Sequence, residues 1–481
     1  MQTLAEGIRT SPSSKIRIKG LHGSLDAVIF AAVFRSIRAT HIIIAQDKEE
    51  AAYLANDLQH VLGEREVLFF PMSYKRPYEY DEIENANILM RAEVLNHLSH
   101  HPDGNMIVTY PEALSEKVIN KKSLATNTFL IKKGESLDRT FLEEFLHTYD
   151  FEKADFVYEA GQFAIRGGII DVFSFAHELP FRIELFGDQV DSIRSFDPGS
   201  QLSVEELTKI NLMPNVQTRL VQEERQSMLE FVPPATRIWL KDVELTLDVL
   251  ARGFQKASAS FDKILHESGT QVVLNPTQLF TPAEAFHDQL LQMGCIEFGS
   301  RYFFEPKHVY DFNSSAQPSF NKNFEMLAGN LWEHQVHEYV NFIAAEQPRQ
   351  VERLHGIFDE IHPEIRFQSL EFSLRQGFVD HVVKLVCYTD HQIFERFYRY
   401  RQKEKFSKSK ALTFRELQTL QPGDFVTHID YGIGKFAGLE KKEVDGKEQE
   451  AIRLVFRDDD LLTVSIHALH KISKYSGKDG T

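Results

Sequence analysis

A chain of 481 residues with 42% apolar and 26% charged side chains has room for roughly three to five domains of ordinary size, and its composition is that of a folded soluble protein. No run approaches the roughly 18 consecutive apolar residues of a membrane helix, and the opening MQTLAEGIRTSPSSKIRIKG lacks the basic start and apolar core of a secretion signal, so a cytoplasmic location is expected. A formal charge of −16 argues against an extended nucleic-acid groove, and two cysteines, Cys295 and Cys387, cannot build a disulfide framework or a thiolate zinc site.

In chain order, IRIKGL and HIIIAQ read as short buried strands, while SLDAVIFAAVFRSIRA and DKEEAAYLANDLQHVLG carry apolar residues at helical spacing. VLFF, a helical IENANILMRAEVLNHLSH and NMIVTY continue the alternation, which predicts a parallel sheet covered on both faces over residues 1–120. From 121 to 211 the texture changes. FLIKKGESL and a helical DRTFLEEFLHTY lead into FVYEAGQFAIRGGIIDVFSF and LPFRIELFGDQVDSIRSFD, whose alternation and glycine turns predict antiparallel hairpins in a separate α+β domain.

Residues 212–330 return to strand, turn and helix in TRIWLKDVELTLDVLARGFQKA, the order expected if the α+β domain is inserted into the α/β sheet domain. Residues 331–405 read as a helix-rich spacer with one strand-like VVKLVCYTD, and 406–419 as a basic linker. Within 396–411, RFYRYRQKEKFSKSKA interleaves cations with rings, which fits either a nucleic-acid backbone contact or a helix end running into solvated linker. Residues 420–481, punctuated by Pro-Gly-Asp, Gly-Ile-Gly and Asp-Gly turns, predict five short strands in a small closed barrel.

The segment KGLHGSLDAVIFAAVF has the strand, glycine loop and helix of a phosphate cradle, with Gly20, Gly23 and Ser24 in the loop. Leu25 and Asp26 stand where the lysine and the magnesium-holding hydroxyl are required, and an aspartate there repels phosphate. The acidic pair that such a loop needs is also missing: TRIWLKDVE offers Asp242 followed by Val243, and a lone acid at a strand end suits a helix cap. His334 and His337 lie one helical turn apart without further ligands, so no catalytic or metal site is predicted.

In PFRIELFGD, period two places Phe181, Ile183 and Leu185 on one face and Arg182, Glu184 and Phe186 on the other; in GQFAIRGG, Arg166 points away from Phe163 and Ile165. Arginine beside an exposed phenylalanine is a pattern of binding hot spots, and equally of a cross-strand ion pair with a neighbouring ring.

GQFAIRGGIIDVFSFAHELPFRIELFGDQVDSIRSFDPGSQLS resembles the inserted domain that UvrB shares with the bacterial transcription-repair coupling factor family (Mfd), and PGDFVTHIDYGIGKFAGLE resembles the CarD-like (CarD/Tudor-like) RNA polymerase interaction domain of that family. Coupling factors carry both motifs in this order, whereas UvrB lacks the second. The eroded phosphate loop and a short FFPMSYKRPYEYDEIENANILMRAEVL, with no room for a long DNA-probing hairpin, favour the coupling factors too. On that view Tyr74, Tyr78 and Tyr80 are packing residues.

The resemblance implies a UvrB-like α/β domain, a UvrA-interaction domain and a polymerase-binding barrel in an adaptor for transcription-coupled excision repair. It implies UvrA contact at Arg166, Arg182 and Phe186, and contact with the RNA polymerase β subunit at Phe436, Leu439 and Lys442 by edge-strand addition. The expected protein is a monomer without cofactor. ATP, magnesium, DNA translocation and most DNA contact would belong to motor domains absent from this chain, which then represents the N-terminal part of a longer protein. The alternatives are a UvrB-like nucleotide-dependent binder of damaged DNA and a CarD-like transcription regulator.

Overall fold

The computed structural model describes residues 2–10, 13–63, 65–74, 85–122, 129–149, 151–175, 177, 179–212, 224–267, 275–396, 398, 420–428, 431–444, 447–456, 460–465 and 472–474. They fall into two compact units, Met1–Thr126 with Arg219–Glu404, and Asn127–Thr218 with Lys405–Thr481. No helix among them is long and apolar enough to cross a membrane.

In the first unit seven parallel strands form one sheet, in the order His308–Asp311, Lys15–Lys19, Gly294–Glu297, Arg237–Leu240, His41–Ile44, Met106–Thr109 and Val67–Phe70. Every residue of the four strands between Lys15–Lys19 and Val67–Phe70 is buried, as continuous apolar runs such as HIII and MIVT require of a sheet covered on both faces. Val118–Ile119 pairs antiparallel with Arg225–Gln226, so the chain leaves and re-enters this unit side by side.

Trp239 anchors the sheet core. Its ring packs on Phe30 at a centroid distance of 4.6 Å, Phe30 in turn meets Phe298 edge-on at 4.8 Å, and the Trp239 Nε1 donates to His41 Nδ1 at 3.0 Å. Burial pushes the His41 imidazole down to about 3, which keeps Nδ1 free of a proton and able to accept.

The helix-rich spacer expected at 331–405 is corrected by a mixed α/β domain that begins earlier. Ser314–Ala316, Phe378–Asp380, Leu385–Thr389, Val340–Ala344 and Gln368–Leu370 form a five-stranded sheet in that order. Helices Phe324–Val336 and Pro348–Ile361 accompany it, with Leu327, Leu331, Leu354 and Phe358 in a shared core with Ile343, Val386 and Tyr388. Three of the strands are only three residues long and too short to show periodicity. The apparent strand start at Val382–Val383 is a turn, because Asp380 Oδ1 accepts from both backbone amides and Lys384 takes a φ of 53°.

In the second unit, Ser203–Leu207, Gln189–Phe196, Phe181–Phe186, Ile169–Val172, Gln162–Arg166 and Glu152–Lys153 form a six-stranded sheet, antiparallel except for its last pair. Helix Arg139–Thr148, capped by the Asp138 carboxylate, buries Leu142 and Leu146 and sets His147 edge-on to Phe163 at 5.2 Å. The C-terminal strands run Leu461–Ser465, Lys447–Val455, Gly432–Val444, Phe425–His428 and Ile472–Lys474, all antiparallel. They supply the five expected strands as one row, and among the described residues no ladder joins its two end strands.

Candidate functional site

The glycine loop follows strand Lys15–Lys19. Gly20 and Gly23 have φ of 74° and 56°, and a Cβ at either would lie 1.8 Å from the Phe312 carbonyl oxygen or 2.5 Å from that of Gly377. Backbone thus presses against the loop where a phosphate cradle keeps open space. Ser24 N donates to Gln376 O at 3.0 Å, Gln376 N donates to Ser24 Oγ at 3.1 Å, and Ser24 Oγ donates to Asp57 Oδ2 at 2.5 Å. Asp57 Oδ1 accepts from Arg375 N at 2.9 Å.

Asp26 accepts from Ala27 N at 2.7 Å at the start of helix Leu25–Ser36, a position where the helix dipole favours a carboxylate. The cations nearby are matched: Lys241 pairs with Glu50, and Arg375 lies 3.5 Å from the same carboxylate. Burial pushes Asp57 up to about 7 in spite of its bonds to Ser24 and Arg375, and raises Asp26 as well. Asp242 Oδ1 accepts from Leu245 N at 2.9 Å and caps the helix that follows its strand.

On the inserted domain, register aligns Ala164, Asp171, Arg182, Arg194 and Glu206 across five strands. Asp171 is fully buried, and its carboxylate takes a bidentate bond from Arg182, with Nε 2.7 Å and Nη2 2.9 Å away, together with an ion pair from Arg166. Arg182 stacks over Phe196 at 4.5 Å and Arg166 over Phe156 at 4.9 Å. The hydrogen bond that Arg182 donates to Asp171 holds the Arg182 pKa above its ordinary value.

The two arginines expected to face a partner are therefore tied into the domain's own sheet, and Arg182 is mostly covered. Phe186 differs: 83% exposed, it ends its strand at a hairpin turn through Gly187. Asp171 was missed in the sequence, although alternation in IIDVF places it on the arginine face.

In the C-terminal sheet, Gly432–Val444 pairs with Phe425–His428 only through Lys435, with bonds to Gly423 and Asp424 extending the contact to Phe436. From Leu439 to Val444 it pairs with Lys447–Ile452 on one side, and among the described residues no strand lies on the other. A bulge between Phe436 and Leu439 shifts the register. Phe436, 5% exposed, sits in the core with Val426, Ile452, Leu454 and Ile472 and is not on the surface as expected. Leu439 is 45% exposed; the Lys442 side chain lies outside the described residues. Phe425, Tyr431 and Ile433, each more than half exposed, were not singled out in the sequence because turn residues interrupt their pattern.

Other candidates resolve into packing. His334 and His337 each turn Nδ1 to the carbonyl one helical turn back, at 2.8 Å. Burial pushes the Cys295 and Cys387 thiols up to about 11 and about 12, the opposite of a reactive thiolate. Tyr74 is buried beside Phe280, while Tyr78 and Tyr80 lie outside the described residues.

The UvrB interaction domain family matches residues 129–217, and the CarD-like/TRCF RID domain family matches residues 420–476. The transcription-repair-coupling factor of Bacillus subtilis (strain 168) is 24% identical, covering 96% of this chain and 45% of its own length. Those of Myxococcus xanthus and Haemophilus influenzae (strain ATCC 51907 / DSM 11121 / KW20 / Rd) are 24% and 22% identical, over 97% and 98% of this chain and 46% of each relative. The chain spans about half the length of the curated relatives it matches.

Two predictions follow the buried carboxylates. Asp57 has a folded pKa above its unfolded value, so its ionisation disfavours the folded state, and stability is lost as pH rises from about 4 through 7. Asp57→Asn removes that dependence, so denaturant titrations should show the variant gaining on the parent chain by on the order of 3 kcal/mol between pH 4 and pH 8. A pH-independent difference refutes the assignment. Arg182→Ala should cost about 3 kcal/mol in the same assay, at the low end for breaking a buried pair because Arg166 still faces Asp171. An effect below about 0.5 kcal/mol, the size usual for surface substitutions, would remove Arg182 from the domain's framework.

Proposed function

We propose that this chain, similar along nearly its whole length to transcription-repair-coupling factors, is a cytoplasmic, monomeric two-ended adaptor for transcription-coupled excision repair. The observation that carries this reading is the presence of a UvrB interaction domain and a CarD-like/TRCF RID domain in one chain. The inserted domain takes UvrA, with Phe186 as the apolar anchor and the Arg166 and Arg182 network as its rigid support. The C-terminal sheet takes the RNA polymerase β subunit along the open edge that begins at Leu439. Unpaired backbone groups there invite an added strand, and Leu439 supplies side-chain contact.

The Gly20–Ser24 loop serves this adaptor as a scaffold turn. Ser24 N is bonded to Gln376, and Asp26 places a carboxylate where a triphosphate needs a cation. ATP, magnesium and DNA translocation belong, on this reading, to motor domains outside this chain.

Pull-downs with purified UvrA and RNA polymerase test the two ends. Phe186→Asp and Leu439→Arg are the suitable variants because both side chains are exposed, whereas Arg182 substitutions also disturb Asp171. Each should weaken one partner by about tenfold or more, as expected for a hot-spot residue, and spare the other. If neither variant changes either partner, or one abolishes both, the two-ended assignment fails. A phosphate-release assay should give no turnover above the protein-free control; turnover abolished by Ser24→Ala would return the loop to the nucleotide-dependent class.

A further inference from the structure

A cavity of about 280 Å³ lies in the five-stranded domain, lined by Lys322, Phe324, Gln350, Arg353, Phe394 and Arg396. Three of these side chains are cationic and none is acidic. Phe324 opens helix Phe324–Val336 and Gln350 lies in the first turn of helix Pro348–Ile361, so the positive ends of two helix dipoles border the same space. Phe394 carries a guanidinium on either account: Arg353 is 5.0 Å and Arg396 5.2 Å from its centroid, with the Phe324 ring 5.7 Å away.

The cations differ in their partners. Arg396 pairs with Asp390 at 2.5 Å and Lys322 with Glu395 at 3.4 Å. Among the described residues no carboxylate lies within ion-pair distance of Arg353, whose guanidinium lies against the Phe394 ring. The backbone here is strained: Asn321, Lys322 and Glu395, with φ of 50°, 59° and 50°, are three of the six non-glycine residues in the left-handed region among the described residues. Such strain persists only where the surrounding structure enforces it, and it concentrates at ligand sites.

We propose that this cavity binds a nucleotide phosphate. A planar guanidinium matches phosphate oxygens bidentately, and helix N-terminal amides add donors of the same sign. The rings and the stacked guanidinium planes offer a base the flat faces that a carboxylate-bearing peptide would leave unused. The volume is just below the roughly 300–1,000 Å³ of drug-sized sites, which suits one nucleotide rather than a dinucleotide. The nucleotide comes either free or as part of a single strand. In the sequence, the cavity residue Arg396 begins the run RFYRYRQKEKFSKSKA, where cations again alternate with rings. Elsewhere the chain's charge of −16 repels phosphate, so attraction must be local.

The test uses the whole chain and two probes at low salt, a dye-labelled ten-nucleotide dT strand followed by polarisation, and AMP as competitor. Arg353→Glu and Lys322→Glu should each weaken binding by about tenfold or more with unchanged thermal midpoints, since both side chains are exposed. Lys384→Glu, a charge reversal at a cation that does not line the cavity, should bind as the parent does. If Arg353→Glu shifts the midpoint, Arg353→Gln replaces it. Displacement of the strand by AMP identifies a free-nucleotide site, and binding of the strand alone identifies a strand site. Binding of neither probe, equal loss in Lys384→Glu, or binding of a polyglutamate peptide in place of both overturns the proposal.

Discussion

The first turn of a helix presents backbone donors that its own ladder cannot satisfy, and what satisfies them decides what a glycine loop is for. At Ser24 the partner is Gln376, and the exchange is mutual: the Ser24 amide reaches the Gln376 carbonyl, and the Gln376 amide reaches the Ser24 hydroxyl. Several features depend on this junction. Gly20 and Gly23 are required because backbone carbonyls occupy the space beside them. Asp57 is drawn under the loop to accept from Ser24 and from Arg375, and its burial raises its pKa. The residues that close the loop, Arg375 to Gly377, lead directly into strand Phe378–Asp380, so the five-stranded domain is fastened to the parallel sheet through the loop itself.

A second closed arrangement organises the inserted domain. A fully buried carboxylate is costly unless its lone pairs are occupied, and Asp171 meets that condition with two arginines whose own guanidinium faces rest on Phe196 and Phe156. The cross-strand ion pair and the docking surface, open alternatives in the sequence, turn out to be compatible. The arginines are held rigid by Asp171, while Phe186, beyond them at the hairpin, is the group left without cover. A rigid polar support beside an exposed ring is the form that lets one aromatic side chain contribute strongly to binding.

The sequence revealed those parts of the fold whose physical signal is periodic. Buried strands such as HIII and MIVT, the helices between them and the hairpins of the inserted domain all appear where apolar spacing places them. Legibility failed where local bonds override spacing. Val382 and Val383 look like the start of a strand, yet Asp380 folds them into a turn; three-residue strands such as Phe378–Asp380 carry too little pattern to notice. In the C-terminal sheet Phe436 lies where the Phe425–His428 side still flanks its strand and is buried, whereas Leu439, past a register shift, is 45% exposed, and the residue types alone announce neither the shift nor where the flanking strand ends. At the candidate sites, residue types were readable but partners were not. Arg182 was found without Asp171, and Ser24 without Gln376, because pairing between segments distant in the chain has no signature within one local window.

The described side chains divide into closed groups, whose partners lie within the protein, and open groups, on which the proposed contacts rest. Ser24, Asp57 and Asp171 have their hydrogen-bonding capacity taken up by the protein itself, so removing one leaves a buried partner exposed to its own desolvation cost. Phe186, the Leu439 edge and Arg353 are the reverse: an uncovered ring and, among the described residues, a strand edge without a neighbour and a guanidinium with an aromatic face but no carboxylate. Keeping each of the three in water leaves unrealised an interaction that a suitable partner would complete. On the proposed reading, substitution there removes attraction from a complex and little from the fold, so sites of this second kind can specialise while the closed arrangements beneath them stay fixed.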